Sequence, residues 1–317
     1  MYEAFFGLRE APFTLTPNTH FFMKSETHRQ GLETLLVALN NKEGFIKLTG
    51  EVGTGKTLLC RKLLNALDEH YVTAYVPNPH CSPETLYCMI ADELGIDCHD
   101  AEESSGSARS FTTERSVLAL KHINEKLLEL TAVGKQVVLI IDEAQSMPME
   151  TIEALRLLTN LETESEKLLQ VILFGQPELD DMLSREELRQ LRQRITFQHK
   201  LQPLTRNDVE SYISHRMILA GYSGDRLFDE GAVTQLYRAS GGIPRLLNVL
   251  CHKALMAAYG KGSSMVKREH MKGAIQDTES VYRKKRFKLP WQVTAWIVTV
   301  TTLGSLTGYL QMGGLLG

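Results

Sequence analysis

The segment at residues 50–57, GEVGTGKT, constrains this chain more than any other, because it fits the pattern G-x-x-x-x-G-K-[ST] at every fixed position. The apolar run at residues 45–49 predicts a short buried strand leading into it, and residues 58–64 predict an apolar-faced helix leaving it. The glycines let successive backbone N–H groups turn inward around a phosphate, and the helix N-terminus adds partial positive charge. The sequence therefore predicts a phosphate-binding loop within an α/β fold.

Every position of this loop is a predicted nucleotide contact. Lys56 is expected to reach the β- and γ-phosphates, and the Thr57 hydroxyl is expected to ligate Mg²⁺. A glycine-rich turn that happens to precede a lysine is the alternative, and the flanking strand and helix disfavour it. The other predicted contacts come from the rest of the loop and the residue after it: Gly50, Glu51, Val52, Gly53, Thr54, Gly55 and Leu58.

An acidic pair follows a second buried strand. Residues 137–141, VVLII, are typical of a strand buried on both faces of a parallel sheet, and Asp142 and Glu143 come directly after them. In proteins with a phosphate loop, such an acid holds Mg²⁺ and a neighbouring carboxylate orients the attacking water. We therefore assign Asp142 to the metal and Glu143 to catalysis. Taken alone, the pair would more often be a solvated loop start.

Polar and basic residues further along the chain are additional candidates. Gln176 follows the next buried strand, where its amide is placed to hydrogen-bond the γ-phosphate or the attacking water. A strand-ending amide with no contact to the nucleotide is the alternative. Arg189, Arg192 and Arg194 precede the last predicted strand, and such a cluster can supply a cation to a neighbouring subunit, although a solvated helix face is commoner. Arg245 falls in the first turn of a helix, where a cation opposes the helix dipole, and this misfit indicates an anionic partner.

The order of these patterns predicts the domain organisation. An irregular apolar lead-in at residues 1–30 is expected to pack on the core. Strands and helices alternate over residues 31–201 and predict a parallel α/β sheet, whereas residues 202–280 show helical patterns alone and predict a helical lid. The strands are predicted at residues 45–49, 72–76, 137–141, 170–174 and 195–199.

The C-terminal segment is predicted to cross a membrane. A basic linker at residues 281–290 precedes a hydrophobic stretch at residues 291–312, and about twenty apolar residues cross a bilayer core. Basic flanks stay on the cytoplasmic side, and Trp291 and Trp296 suit interfacial depth. We therefore expect a single pass with the body of the protein in the cytoplasm. A buried or surface amphipathic terminal helix is the alternative.

Composition weakens two other classes of function. The chain has 35 basic and 38 acidic residues and a net charge of -3, so no global basic field favours nucleic acid. The five cysteines form no C-x-x-C pair, which is typical of a reduced compartment. The spacing of Cys81, Cys88 and Cys98 is too irregular to favour a metal site.

These motifs, together with Gly-Gly-Ile-Pro-Arg at residues 241–245, occur in the same order in AAA+ ATPases, which the sequence resembles. The lead-in with Phe6-Gly7-Leu8 and the stretch FGQPEL at residues 174–179 are similar to the ExeA/GspA secretion ATPases, and within these to the MshM-type ATPases of MSHA-type type IV pilus biogenesis. The resemblance extends from residue 1 to about residue 275. It implies ATP and Mg²⁺ as cofactors and a homo-oligomer, either a ring or a dimer.

The resemblance also implies roles for the later polar residues. Gln176 takes the sensor 1 position, Arg245 takes the sensor 2 position, and Arg194 best fits a trans arginine finger, with Arg192 as the fallback. Secretion members of the family continue into a periplasmic peptidoglycan-binding region that this sequence does not show before Gly317. Contact with the cell wall is therefore expected to come from another protein.

The function implied is that of an ATP hydrolase tethered to the bacterial inner membrane, which drives assembly of an MSHA-like type IV pilus or a type II secretion-like machine. Its partners would be inner-membrane assembly proteins. A DNA-binding AAA+ regulator of the transposition or replication-initiation type is the alternative, disfavoured because no helix-turn-helix or zinc module is evident. A nucleotide-gated scaffold with little turnover is a third possibility, and Glu143 beside Asp142 argues against it.

Overall fold

The computed structural model describes residues 1–14, 19–96, 108–159, 167–279 and 281. These residues all belong to one compact unit, Met1–Val281. Their helices are α1 (Glu26–Asn40), α2 (Lys56–Leu64), α3 (Pro83–Glu93), α4 (Ala108–Ala132), α5 (Met149–Leu158), α6 (Glu178–Leu183), α7 (Arg189–Arg194), α8 (Arg206–Leu219), α9 (Glu230–Ser240), α10 (Pro244–Gly260) and α11 (Arg268–Gln276). The strands are β1 (Phe45–Gly50), β2 (Tyr71–Val76), β3 (Gln136–Ile141), β4 (Leu169–Gly175) and β5 (Ile195–Leu201).

The described strands form a parallel sheet in the order β2-β3-β4-β1-β5, which confirms the predicted α/β fold with a parallel sheet. In its register Ile141 pairs with Leu173 and Thr49 pairs with Gly175. The carboxyl ends of β3, β4 and β1 therefore lie side by side at one edge of the sheet. Because ligands of open parallel sheets bind outside this edge, the topology brings the predicted motifs together.

Burial explains why the central strands consist of aliphatic residues. Every residue of β4 is buried, and β3 is buried from its second residue onward. Side chains of alternate parity pack on opposite faces: one core includes Leu139 and Val171 with helices α3 to α5, and the other includes Ile140 and Ile172 with α1 and α2. A strand covered on both faces loses the polar alternation of a half-exposed strand. The edge strand β5 keeps that alternation.

Helices α8 to α11 share a separate hydrophobic cluster, and α8 begins with a capping box between Thr205 and Asp208. The lead-in was predicted to pack on the core domain. Its buried apolar side chains instead lie in the helical cluster: Tyr2, Phe6, Leu8, Phe13 and Phe21. They bury apolar surface there, and a buried cation on α8 adds polar contacts: the Arg216 guanidinium lies over the Phe21 ring at 4.8 Å and donates from Nε to the Pro12 carbonyl at 2.6 Å.

Gly242 joins the helical cluster to the end of the α/β domain at a position that excludes a side chain. Its φ is +79°, and an added Cβ would lie 2.1 Å from the Leu204 carbonyl oxygen. We expect Gly242→Ala to lower the free energy of unfolding by about 2 kcal/mol or more, measured by denaturant titration. Gly260→Ala is the matched control, since an added Cβ there meets nothing within 4 Å. Equal stability of the two variants would contradict this account.

The structure corrects the predicted inner-membrane location with a C-terminal pass. Across the described residues, no helix combines the length and the apolar character needed to cross a bilayer. The longest of them, α4, carries charged residues such as Lys121, Glu125 and Glu129. The predicted membrane segment at residues 291–312 lies outside the described residues, as does the basic linker from residue 282 onward.

Candidate nucleotide site

The phosphate-binding loop joins β1 to α2 as the sequence predicts. Gly53 and Gly55 have φ values of +81° and +101°, a conformation that a side chain would strain. Lys56 is the first residue of α2 and is 5% exposed. Its ammonium donates to the carbonyl of Gly50 at 2.8 Å and to that of Glu51 at 3.1 Å. The lysine is therefore folded against its own loop, and burial lowers its pKa against the opposing effect of nearby carboxylates.

Thr57 and Asp142 meet across the sheet edge. The Thr57 hydroxyl donates to Asp142 Oδ2 at 3.0 Å, and the backbone N–H of Glu143 donates to Asp142 Oδ1 at 2.9 Å. Asp142 is 3% exposed, and this burial raises the pKa of its carboxyl. A hydroxyl and a carboxylate are oxygen ligands that suit Mg²⁺, and phosphates and water complete its shell in nucleotide sites. The residues present therefore fit the predicted metal.

Glu143 is held by two amide side chains. Its Oε2 accepts from Gln176 Nε2 at 3.0 Å and from Gln145 Nε2 at 2.5 Å. Burial acts to raise the pKa of Glu143, but these hydrogen bonds and the Lys56 charge lower it on balance. The backbone of Glu143 has a φ of +53°, which is uncommon for a residue with a side chain. The carboxylate therefore lies in an ionised and restrained position.

Gln145 is a site residue that sequence reasoning missed. Besides its bond to Glu143, its Oε1 accepts the backbone N–H of Gln176 at 2.9 Å. It approaches Gly175 so closely that an added Cβ there would lie 3.3 Å from Gln145 Oε1. One amide therefore links the end of β3 to the end of β4. The signal in the sequence was a polar side chain two positions after Glu143, within a segment that otherwise reads as a simple turn.

Arg245 approaches the loop from α10. Its backbone N–H donates to the Gly53 carbonyl at 3.2 Å, and a Cβ added to Gly53 would lie 2.5 Å from Arg245 Cβ. The side chain lines a cavity of about 360 Å³ together with Lys56, Thr57, Glu143 and Gln176. Further lining residues come from the lead-in and the helical cluster, and of these only Pro244 belongs to a motif that the sequence singled out: Thr14, Tyr212, Arg216, Pro244 and Asn248. The predicted residues Val52, Gly53, Gly55 and Leu58 also line it.

The arginines predicted as finger candidates do not line this cavity. Arg194 is exposed at the end of α7, and its Nη1 donates to Thr159 Oγ1 at 3.0 Å. Arg192, also exposed, donates from Nη1 to the Ser184 carbonyl at 3.2 Å. The structure therefore brings together the loop, the acidic pair, Gln176 and Arg245, and leaves the arginine cluster elsewhere on the surface of the same chain.

Comparisons with known proteins agree with this geometry. Residues 39–183 match the family model described as an AAA domain. The described α/β domain has the AAA+ P-loop NTPase fold, as predicted. Two solved structures share it, each with a TM-score of 0.58 and 17% identity. The first is the ORC2 protein of Aeropyrum pernix in ADPNP–ADP complexes, and the match covers 85% of this chain and 73% of that one. The second is Cdc6p of Pyrobaculum aerophilum, and the match covers 83% of this chain and 71% of that one. At such identities they show the fold alone.

A curated relative is much more similar in sequence. General secretion pathway protein A of Aeromonas hydrophila is 42% identical over 266 residues. The match takes in 84% of this chain and 46% of that protein, so the chain spans about half the length of the relative it matches.

Proposed function

We propose that this chain binds ATP with Mg²⁺ and hydrolyses it at the edge of the sheet described above. The observation that carries the proposal is the convergence of five side chains from three parts of the fold: Lys56 and Thr57 at the start of α2, Asp142 and Glu143 after β3, and Gln176 after β4. The Thr57–Asp142 hydrogen bond of 3.0 Å and the Gln176–Glu143 hydrogen bond of 3.0 Å join them into one polar surface. A stable fold does not need such a cluster of buried and half-buried polar groups, whereas phosphoryl transfer does.

Each of these residues has a chemical task in the proposal. Lys56 exchanges the carbonyls of its own loop for phosphate oxygens, and Thr57 and Asp142 hold the metal. Glu143 accepts a proton from the attacking water, which requires the ionised state that its two amide donors favour. Gln176, which lines the cavity beside Glu143, orients that water or the γ-phosphate. Arg245, whose side chain lines the cavity, adds a positive charge to it.

The proposed cellular task is to couple this hydrolysis to the assembly of a type II secretion-like machine or an MSHA-like type IV pilus. The 42% identity to General secretion pathway protein A supports the first of these, and the sequence resemblance to MSHA-type ATPases supports the second. Binding to assembly proteins and a homo-oligomer with a trans arginine finger belong to the same proposal. The near-balanced charge of the chain, net -3, gives no support to the DNA-binding alternative.

The test of hydrolysis is phosphate release by the purified chain supplied with ATP and Mg²⁺. We expect Lys56→Ala to weaken ATP binding at least about 10²-fold, because the loop then lacks the cation that faces the phosphates. Removing Mg²⁺ with EDTA is expected to abolish turnover. Arg61→Ala is the control, since Arg61 is an exposed cation on the same helix. Wild-type protein that neither binds nor cleaves ATP would refute the proposal.

The assembly role has its own test. In the source organism, a strain that lacks this chain is expected to lose secretion or piliation, and the wild-type gene is expected to restore it. A gene carrying Lys56→Ala is expected not to restore it. Normal secretion and piliation in the deletion strain would contradict the assembly role and leave the hydrolytic activity as a separate question.

A further inference from the structure

His28, on the first turn of α1, is a buried titratable side chain that lies against the phosphate-binding loop. It is 5% exposed. Its Nε2 lies 2.9 Å from the carbonyl oxygen of Thr54, and its Nδ1 lies 2.6 Å from Ser25 Oγ. The ring thus reaches the loop from an element that precedes the sheet in the chain, outside the residues assigned to the nucleotide.

These two contacts define the protonation of the ring. A carbonyl oxygen can only accept a hydrogen bond, so His28 Nε2 carries a proton and donates to Thr54. Burial lowers the pKa of His28, which favours the neutral ring at neutral pH. In a neutral ring with a proton on Nε2, Nδ1 is an acceptor, so the Ser25 hydroxyl donates to it.

The Ser25 side chain binds the His28 ring instead of capping the helix. Ser25 occupies the N-cap position of α1 with the extended backbone that a cap requires, yet its side chain makes no capping hydrogen bond to the helix. Its hydroxyl points to His28 instead, and Ser25 is itself buried at 4% exposure. The Ser25 hydroxyl therefore orients the imidazole, and the N-terminus of α1 lacks a side-chain cap.

The orientation matters because of the peptide unit that His28 holds. In a planar trans peptide the C=O and the following N–H point in opposite directions. Holding the Thr54 carbonyl toward α1 therefore turns the Gly55 N–H toward the inside of the loop, where a phosphate would lie. The preceding carbonyl, that of Gly53, is held separately by the backbone N–H of Arg245 at 3.2 Å. Consecutive carbonyls are thus fixed from α1 and from α10.

Space around Gly55 supports the same conclusion. Its φ is +101°, and an added Cβ would lie 2.9 Å from His28 Nε2. The imidazole therefore packs directly on the bare backbone of the loop. A smaller side chain in place of His28 would leave the Thr54 carbonyl buried without its donor.

We propose that His28 is a positioning residue for nucleotide binding, which holds the Thr54–Gly55 peptide so that the Gly55 N–H faces the phosphates. The proposal rests on the proposed function only insofar as the loop binds a nucleoside triphosphate. Hydrolysis is not needed for it. Ser25 acts through His28 by fixing its tautomer and ring orientation.

The test uses two amides that mimic different ring nitrogens. His28→Gln places an N–H donor near the position of Nε2, whereas His28→Asn reaches only the position of Nδ1. Binding is measured as the fluorescence anisotropy of a fluorescent ATP analogue with Mg²⁺. We expect His28→Asn to weaken binding about tenfold or more and His28→Gln to stay within about threefold of wild type. Ser25→Ala, a milder change, is expected to weaken binding about threefold.

His270→Gln is the matched control, because His270 is also buried, at 2% exposure, but lies in the helical cluster on α11. The nucleotide affinity of His270→Gln is expected to equal that of wild type. A thermal unfolding transition measured for each variant checks that the variant is folded. Equal affinity of wild type, His28→Asn and Ser25→Ala would overturn the proposal, as would equal losses in His28→Gln and His28→Asn. Wild-type protein that does not bind the analogue would instead refute the proposed function.

Discussion

Glu143→Gln protein is expected to bind ATP with nearly wild-type affinity and to hydrolyse it about 10²- to 10⁴-fold more slowly. The change replaces a carboxylate oxygen with an amide of the same shape, so the loop, the metal ligands and the cavity stay in place. What is lost is the ability to accept a proton from the attacking water. The effect should therefore be on kcat, measured by phosphate release at saturating ATP, with binding followed separately by a fluorescent analogue.

The structure indicates why this residue should have so large an effect. Glu143 is the carboxylate that faces both Gln176 and Gln145, while Asp142 is engaged by Thr57 and by a backbone N–H. The two acids therefore have different surroundings and cannot exchange roles. Glu150→Gln is a suitable control, because Glu150 is an exposed acid in the next helix. Turnover of Glu143→Gln at the wild-type rate would remove Glu143 from the mechanism.

Much of the α/β domain could be predicted because its signals are local. The strands of the sheet were predicted within about two residues of their observed ends, a margin that is ordinary for element boundaries. Strands covered on both faces are continuous aliphatic runs, and such runs are visible in the sequence. The loop pattern then identified one end of β1, and the parallel topology placed Asp142 and Gln176 beside it.

The parts that were not predicted depend on contacts between distant segments. The lead-in packs on the helical cluster and contacts the buried Arg216 there. Pro12, whose carbonyl accepts from Arg216, lies 204 positions before it in the chain. No periodicity in either segment encodes that pairing. Gln145 and His28 were missed for the same reason, because a glutamine in a turn and a histidine in a helix acquire a role only from what the fold places opposite them.

Arg194→Ala is the second variant expected to show a large effect, with hydrolysis lowered by about 10³-fold or more while ATP binding is retained. Arg194 lies at the junction of α7 and β5 and does not line the cavity of its own chain. If it acts on phosphate, it must do so at the site of a neighbouring copy. The side chain is exposed, and its Nη1 donates a hydrogen bond to a neutral acceptor, Thr159 Oγ1, which a stronger anionic partner would displace.

A mixing experiment separates a trans role from a structural one. Lys56→Ala protein lacks a working loop but keeps Arg194, and Arg194→Ala protein has the opposite defect. Each should be inactive alone, whereas an equimolar mixture should recover up to about a quarter of the wild-type rate, because about one interface in four then pairs an intact loop with an intact arginine. The rate is measured against total protein concentration, since assembly between copies makes it concentration-dependent.

The neighbouring arginines provide the controls for this experiment. Arg192→Ala is expected to keep most of the activity, because its guanidinium is engaged with the Ser184 carbonyl of its own chain. Arg189→Ala should do the same, since Arg189 forms an exposed ion pair with Glu186 at 4.0 Å. If Arg192→Ala is the inactive variant and mixes productively with Lys56→Ala, the finger is Arg192. Failure of every mixture to recover activity would mean that hydrolysis does not use an arginine from this cluster in trans.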